Sequence, residues 1–416
     1  MEEKQLVPKR RFRGFEGEWK KKNFDEEIEL YSGLTYSPND VQQNGTFVLR
    51  SSNVQNGEIV SADDVYVDSE VVNSSNVREG DIIVVVRNGS RSLIGKHAKI
   101  KKSMDKTVIG AFMTGVRSNQ PNFINALLDT QNFKREIDKN LGATINQITN
   151  GMFKSMSFII PNVKEQQKIG QFFKVLDERI ANQKRKIAKV KALKSAYLTE
   201  MFPQEGETLP KRRFKGFKGD WKTFKLKDLG MFTSNGVNKK VNKNEMLVNL
   251  LNYMDVYKRK KITNENRHTL MQVTANLDQI KKNSVEKNDV FFTPSSETPD
   301  DIGRVMVIEE SLDNTVYSYH LMRFRPYRNI LHSIFPNYVF DTFYFRKQLE
   351  FAAQGVQRYV LNRDAFEELL VQLPRINEQK AISDFFRTLD DQIEMEEKKL
   401  DKLQKMKEAY LEEMFV

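Results

Sequence analysis

The side chains best suited to directional contacts with another molecule lie in the run Arg87-Asn88-Gly89-Ser90-Arg91, directly after the apolar segment Ile82 to Val86. Arginine can pair with O6 and N7 of guanine, and asparagine with N6 and N7 of adenine, so these types in one turn suit the reading of base edges in a groove. An Asn-Gly pair after an apolar run also suits an ordinary solvated hairpin turn. Arg50-Ser51-Ser52-Asn53 ends another apolar segment with mobile polar groups, of which Arg50, Ser51 and Asn53 are the candidates, against the reading of a simple surface loop. Gln147 follows a glycine that ends a helical stretch and belongs with the same set. The runs Lys9 to Arg13, Lys211 to Arg213 and Lys258 to Lys261 fit phosphates better than bases, though a charge run is equally a solvated face.

Several chemistries are excluded by what the chain lacks. There is no cysteine, hence no disulfide, thiolate nucleophile or Cys-ligated zinc, and the four histidines (His97, His268, His320, His332) are scattered without ligand spacing. No Gly-rich phosphate loop with its lysine, no Asn-Pro-Pro-aromatic or Asp-Pro-Pro-aromatic methyltransferase site and no Gly-rich cofactor segment is found, and after Pro299-Asp300 no acid-x-Lys nuclease motif follows before Arg325. The reading is of a chain that catalyses nothing by itself, binds no metal and carries no cofactor.

Sixty-seven Lys and Arg against 56 Asp and Glu leave a formal charge of +11, which favours a polyanionic partner without naming it. With 39% apolar residues, 28 Phe and 13 Tyr, the 416 residues can fill more than one core. The N-terminus has no signal-peptide character and no segment is apolar enough to span a bilayer, so the expectation is a cytoplasmic chain with no membrane partner.

Comparison of the chain with itself shows what positions these residues. PKRRFRGFEGEW from Pro8 recurs as PKRRFKGFKGDW from Pro210, placing Trp19 opposite Trp221 at an offset of 202. The match weakens to offset 208, where Gly80-Asp81 faces Asn288-Asp289, Ile94-Gly95-Lys96 faces Ile302-Gly303-Arg304, and Val116-Arg117 faces Phe324-Arg325. It strengthens again at offset 213, where the stretch from Pro161 faces that from Pro374 and AYLTEMF, ending at Phe202, faces AYLEEMF, ending at Phe415.

Two diverged domains therefore alternate with two similar helices: 1–160, 161–204, 205–373 and 374–416. The divergent parts mix short β-rich segments (Ile82 to Val86, Val290 to Thr293, Val339 to Phe345) with helical stretches (Asn122 to Leu141, Phe343 to Gln354), so the fold class is α+β. Both end alike, Gly142-Ala143-Thr144-Ile145-Asn146-Gln147 facing Gly355-Val356-Gln357-Arg358-Tyr359. The repeat adds candidates of different chemistry in the second domain: Asn252 and Tyr253 opposite Arg50-Ser51, Lys258 and Arg259, Ser295 and Ser296 opposite the Arg87 region, and Gln357, Arg358 and Tyr359. Trp19 and Trp221 are read as structural anchors, because a duplex offers them no unstacked base.

In the helices, Ile169, Phe173, Leu176, Ile180, Ile187 and Val190, and likewise Ile382, Phe386, Leu389, Ile393, Leu400 and Leu403, follow spacings of four and three within a longer seam. Residues 165–200 hold nine Lys/Arg against four Asp/Glu and residues 378–415 seven against eleven, so opposite charge favours an antiparallel intramolecular coiled coil of the two. A seam from Ile169 to Met201 is about 50 Å long at 1.5 Å per residue. That spans roughly 15 base pairs of B-form DNA, so the helix pair would act as a ruler between two contact sites.

In its order of parts the chain resembles the specificity subunit of type I restriction-modification systems. The resemblance rests on the Pro-x-x-x-Glu-Gln helix starts at Pro161 and Pro374, the pairs Phe172-Phe173 and Phe385-Phe386, the Leu-Asp pairs at Leu176 and Leu389, the Tyr-Leu endings at Tyr197 and Tyr410, and the segment Arg87 to Lys96. It implies two target recognition domains that bind a bipartite, asymmetric double-stranded DNA target. It implies helices that recruit two copies of a modification subunit, an adenine methyltransferase using S-adenosylmethionine, and restriction subunits that translocate and cleave DNA with ATP and Mg2+. The alternative is a nucleic-acid-binding scaffold outside restriction systems.

Overall fold

The computed structural model describes residues 6–142 and 146–416. It forms two compact units, the first holding the chain up to Arg185 together with Glu397–Val416, the second holding Lys186–Glu396. The boundary falls inside both long helices, Val163–Glu200 and Ile376–Met414. The compact units therefore differ from a division at 160, 204 and 373, because the ends of the helices bury their apolar faces in the cores of the β-containing parts.

In the first unit an antiparallel sheet runs in the order Glu29–Ser32, Met113–Arg117, Ile82–Val85, His97–Lys99. A second sheet contains the parallel pair Thr46–Leu49 and Thr107–Ile109. Ile82 to Val85 is buried on both faces, as its unbroken apolar run requires. Gly115 faces the ring of Tyr31, where an added Cβ would lie 2.0 Å from the nearest ring carbon. Tyr31 donates to Asp81 (2.7 Å), and Arg117 holds the same carboxylate with Nε at 3.0 Å and Nη2 at 3.1 Å.

The second unit repeats the first sheet as Gly230–Thr233, Met322–Pro326, Val290–Phe292, Val305–Val307 and the parallel pair as Met246–Leu251 with Thr315–Tyr317. Arg325 grips Asp289 with Nε at 2.6 Å and Nη2 at 2.8 Å. The weak matches of Asp81 with Asp289 and of Arg117 with Arg325 thus mark one buried ion pair made twice.

Two expected elements differ. Asn122 to Leu141 is two helices, Pro121–Leu128 and Gln131–Asn140, because Thr130 caps the second by accepting from Phe133 N (3.3 Å) while donating to Leu127 O (2.6 Å). Val339 to Phe345, read as β-rich, joins the helices Pro336–Val339 and Phe343–Ala352 through the same device at Thr342. Phe340 and Phe345 are buried in the core, whereas Phe343 is exposed. The stretch Ala143 to Ile145 lies outside the described residues.

Each unit contains an antiparallel pair of helix segments. In the first, Phe172 meets Tyr410 (5.0 Å between ring centroids) and Asp177 meets Lys407 (2.6 Å), so numbering rises on one helix as it falls on the other. In the second, Tyr197 meets Phe385 (4.9 Å), Lys194 pairs with Asp390, and Lys186 with Glu396 at 2.7 Å. Of the expected seam, Ile169, Phe173, Leu176, Ile187, Val190, Ile382, Phe386 and Leu389 are buried, whereas Ile180, Ile393, Leu400 and Leu403 are half-buried.

The RRF segments brace these helix pairs. Arg11 makes a two-point contact with the buried Glu165 (2.7 and 2.8 Å), and Arg213 with Glu378 (2.6 and 2.7 Å). The Arg10 N–H donates to Glu413 O and the Arg212 N–H to Glu200 O, both at 2.8 Å. Trp19 packs edge-on to Phe415 (6.4 Å) and Trp221 to Phe202 (5.7 Å). Both indoles are buried, in keeping with the anchor reading.

One buried cluster occurs in the first unit alone among these equivalents. His97 Nε2 lies 3.4 Å from Asp129, whose other oxygen accepts from Lys407 (2.7 Å), while Nδ1 faces Gly95 O at 3.0 Å. The residue opposite His97 is Val305. Burial works against the charged imidazole, but the hydrogen bond and charge of Asp129 and the Gly95 carbonyl outweigh it and hold His97 above the usual imidazole range. A folded-state pKa above the unfolded one gives stability that is complete below about pH 6.5 and is lost as pH rises through the raised value. Urea melts of the first unit across that window should show this loss, and His97→Gln should flatten it. A wild-type profile as flat as that of the variant would contradict the assignment.

Candidate nucleic-acid interface

In the first unit the Arg87 loop is held from three sides. The N–H groups of Val86 and Arg87 donate to Phe112 O (3.0 and 3.2 Å), and Arg87 bridges to Gln147. Asn88 N donates to Asn146 O (3.3 Å), and the Asn146 side chain returns a bond to Gly89 O (3.0 Å). Asn88 Nδ2 reaches Ser51 Oγ at 3.3 Å, and its Oδ1 accepts from Ser90 N at 3.0 Å. Ser51, Arg87, Asn88, Ser90 and Gln147, far apart in sequence, thus form one cluster of polar groups.

Other candidates are used by the fold. Asn53 is fully buried and its amide donates to Val60 O, Ala62 O and Asp64, so it shapes the loop and does not reach a groove. Arg50 is turned onto Asp63 at 2.8 Å. Arg91 leans toward helix Gln131–Asn140, 3.8 Å from the Asp138 carboxylate, and keeps about half of its side chain exposed. In the basic runs, Arg11 and Arg213 are taken up by the buried Glu165 and Glu378, whereas Arg10 and Arg212 pair with Glu413 and Glu200 and stay more than half exposed.

In the second unit Ser295–Ser296 pairs antiparallel with Tyr359–Val360. The Tyr253 hydroxyl donates to Ser295 O (2.7 Å) and Arg358 to Ser295 Oγ (3.2 Å). Tyr253 stacks on Tyr257 at 6.0 Å, and burial raises the pKa of its hydroxyl, which stays protonated. Gln357 and Arg358 are exposed beside them. Asn252 is the N-cap of helix Tyr253–Tyr257, accepting from Tyr253 N at 2.8 Å, and Lys258 at its end is exposed. Ser296 is buried with its hydroxyl on Thr298 O, and Arg259 is fixed by Val305 O (2.9 Å) and Asp341 (3.0 Å), so neither is free for a ligand.

Each cluster occupies the equivalent place in its own unit, at the end of the strand Ile82–Val85 in the first and of Val290–Phe292 in the second. Both hold a serine, a glutamine and an arginine, but the first adds Asn88 and the second Tyr253, and the two arginines are rooted on different elements. Neither is catalytic in shape. Among the described residues no group of His, Asp and Glu is arranged to hold a metal ion, and no helix is long and apolar enough to cross a membrane.

The sequence profile of the type I restriction modification DNA specificity domain matches residues 16–192 and again 218–405. The chain belongs to that family. Among curated relatives it is similar to the specificity subunit of the type I restriction enzyme StySPI from Salmonella potsdam, 24% identical over 370 residues that span 85% of this chain and 78% of that one. A shorter match, 27% identical over 151 residues, links 34% of this chain to 32% of the EcoKI specificity subunit of Escherichia coli strain K12. In fold it is similar to the S subunit of a type I restriction-modification system from M. genitalium, with a TM-score of 0.63 at 16% identity over 99% of both chains. A second neighbour comes from a study of assembly and conformational transition of the type I system, with a TM-score of 0.51 at 15% identity over 95% of this chain and 97% of that one.

As a specificity subunit the chain is a non-catalytic member of its system, and its role is in DNA recognition. The family assignment sets aside the scaffold reading. Sequence reasoning passed over Phe112, whose half-exposed ring lies 4.9 Å from the Arg87 guanidinium. In the sequence, Phe112 and His320 stand opposite each other at offset 208, with Tyr319 adjacent.

Proposed function

We propose that this chain reads a gapped, asymmetric double-stranded DNA target, the first unit contacting one half through the cluster of Ser51, Arg87, Asn88 and Gln147, the second the other half through Tyr253, Ser295, Gln357 and Arg358. The carrying observation is that two frames braced by equivalent contacts (Arg11 with Glu165, Arg213 with Glu378) present loop clusters of different chemistry. Identical clusters would suit a palindrome; different ones suit two unrelated half-sites. The similar helices supply the constant part, setting the gap and recruiting two copies of an adenine methyltransferase subunit. S-adenosylmethionine is bound there, ATP and Mg2+ on restriction subunits, and the complex works in the cytoplasm. Methylome sequencing of a host carrying this chain with its methyltransferase subunit tests the reading. One gapped motif with unlike halves and a modified adenine in each is expected; a continuous palindrome would contradict it.

A further inference from the structure

We propose that Phe112 is a positioning residue for specificity: its ring carries the Arg87 guanidinium and holds it ready for one guanine of the half-site contacted by the first unit. The inference rests on the DNA-reading assignment above and adds a residue and a base to it. Phe112 lies on the Ala111-Phe112 turn between strands Thr107–Ile109 and Met113–Arg117, and its side chain is 51% exposed. The half-exposed ring leaves a face open to the guanidinium beside it. The Phe112 carbonyl accepts from Val86 N and Arg87 N, which ties the turn to the root of the Arg87 loop and brings ring and guanidinium to the same side. The Arg87 Cζ sits 4.9 Å from the ring centroid.

The state of this arginine sets it apart from its neighbours. Arg50 is held by Asp63, Arg117 by Asp81 and Arg11 by Glu165, whereas among the described residues the Arg87 guanidinium has no carboxylate or carbonyl partner. A guanidinium resting on a ring face loses rotamer freedom but keeps its N–H edges available. Two parallel N–H groups fit guanine O6 and N7, and that contact requires orientation. A phosphate would accept the same charge from a swinging side chain.

The second unit also carries rings on the equivalent turn, but among the described residues no cation is seated over them. Its equivalent turn carries Tyr319, 45% exposed, and His320, with ring centroids 3.9 Å apart. Burial and the charges of Lys239 and Arg358 bear on His320, and Arg358 Nη2 reaches Ser295 Oγ at 3.2 Å. The arginine seated on a ring is thus the first unit's own arrangement, with Phe112 as the ring that holds it.

The test uses the full chain assembled with its methyltransferase subunits, bound to a DNA library randomised in the half-site of the first unit. Wild type should show a guanine column that Arg87→Ala loses by about tenfold or more. Phe112→Leu should weaken the same column about three- to tenfold and Phe112→Trp should restore it. The other half-site and the salt dependence of binding should not move, and 7-deazaguanine at the selected position should bring wild type toward the Arg87→Ala level. Phe112→Leu should fold, because the tie to the Arg87 loop is made by the backbone carbonyl. The proposal is overturned if Phe112→Leu keeps the guanine preference, or if it weakens all sequences alike with a shallower salt dependence. A wild-type complex selecting no sequence in either half would instead remove the DNA-reading assignment on which the proposal stands.

Discussion

Arg213→Ala should destabilise the second unit by about 3 kcal/mol, the low end of what breaking a buried ion pair costs. Glu378 keeps only 2% of its side chain exposed, and Arg213 supplies both of the hydrogen bonds that its oxygens receive from a side chain. Removing the arginine strands a carboxylate where water cannot replace the lost donors. The low end applies because 18% of the Arg213 side chain remains in solvent. Arg11→Ala should do the same to the first unit through Glu165, which is 1% exposed. The two tryptophans make the units separately visible, since Trp19 belongs to one core and Trp221 to the other. Urea melts of single-tryptophan variants should therefore show Arg213→Ala moving the Trp221 transition alone. Replacing both partners by apolar residues should recover most of the loss. A cost below about 1 kcal/mol would place the pair with ordinary surface ion pairs, which contribute little.

The same arginines show where sequence legibility ended. The repeat of PKRRF made them conspicuous, and their charge suggested phosphates, because the glutamates that claim them lie 154 and 165 residues away. Local pattern carries no record of such pairing. The helices were legible because their apolar spacing is periodic over ten turns, and the α+β class because strands such as Ile82 to Val85 are continuously apolar. Val339 to Phe345 misled because aromatic and β-branched residues favour strands, while a single threonine, Thr342, decides for two short helices by capping the second. Of the polar candidates, Arg87 and Asn88 stand out by their turn, and the structure places them beside Ser51 and Gln147. Asn53 looked equivalent to them until the loop from Val60 to Asp64 closed over it.

The largest effect concerns recognition itself. The loop clusters that differ between the units lie between the tryptophan anchors and the helix starts, whereas the bracing contacts of Arg10, Arg11, Trp19, Glu165 and Phe415 belong to the frame. Replacing residues 20–160 with the corresponding stretch of a relative that reads another sequence keeps those contacts and changes only one cluster. A mismatched base pair commonly costs about 1–3 kcal/mol, so several changed positions amount to a switch of target. The decisive measurement is a methylation map of cells carrying this exchanged chain beside one of cells carrying the native chain. The account predicts one half of the motif replaced, with the other half and the gap unchanged. Both halves changing together, or a gap that shifts with the exchange, would contradict it.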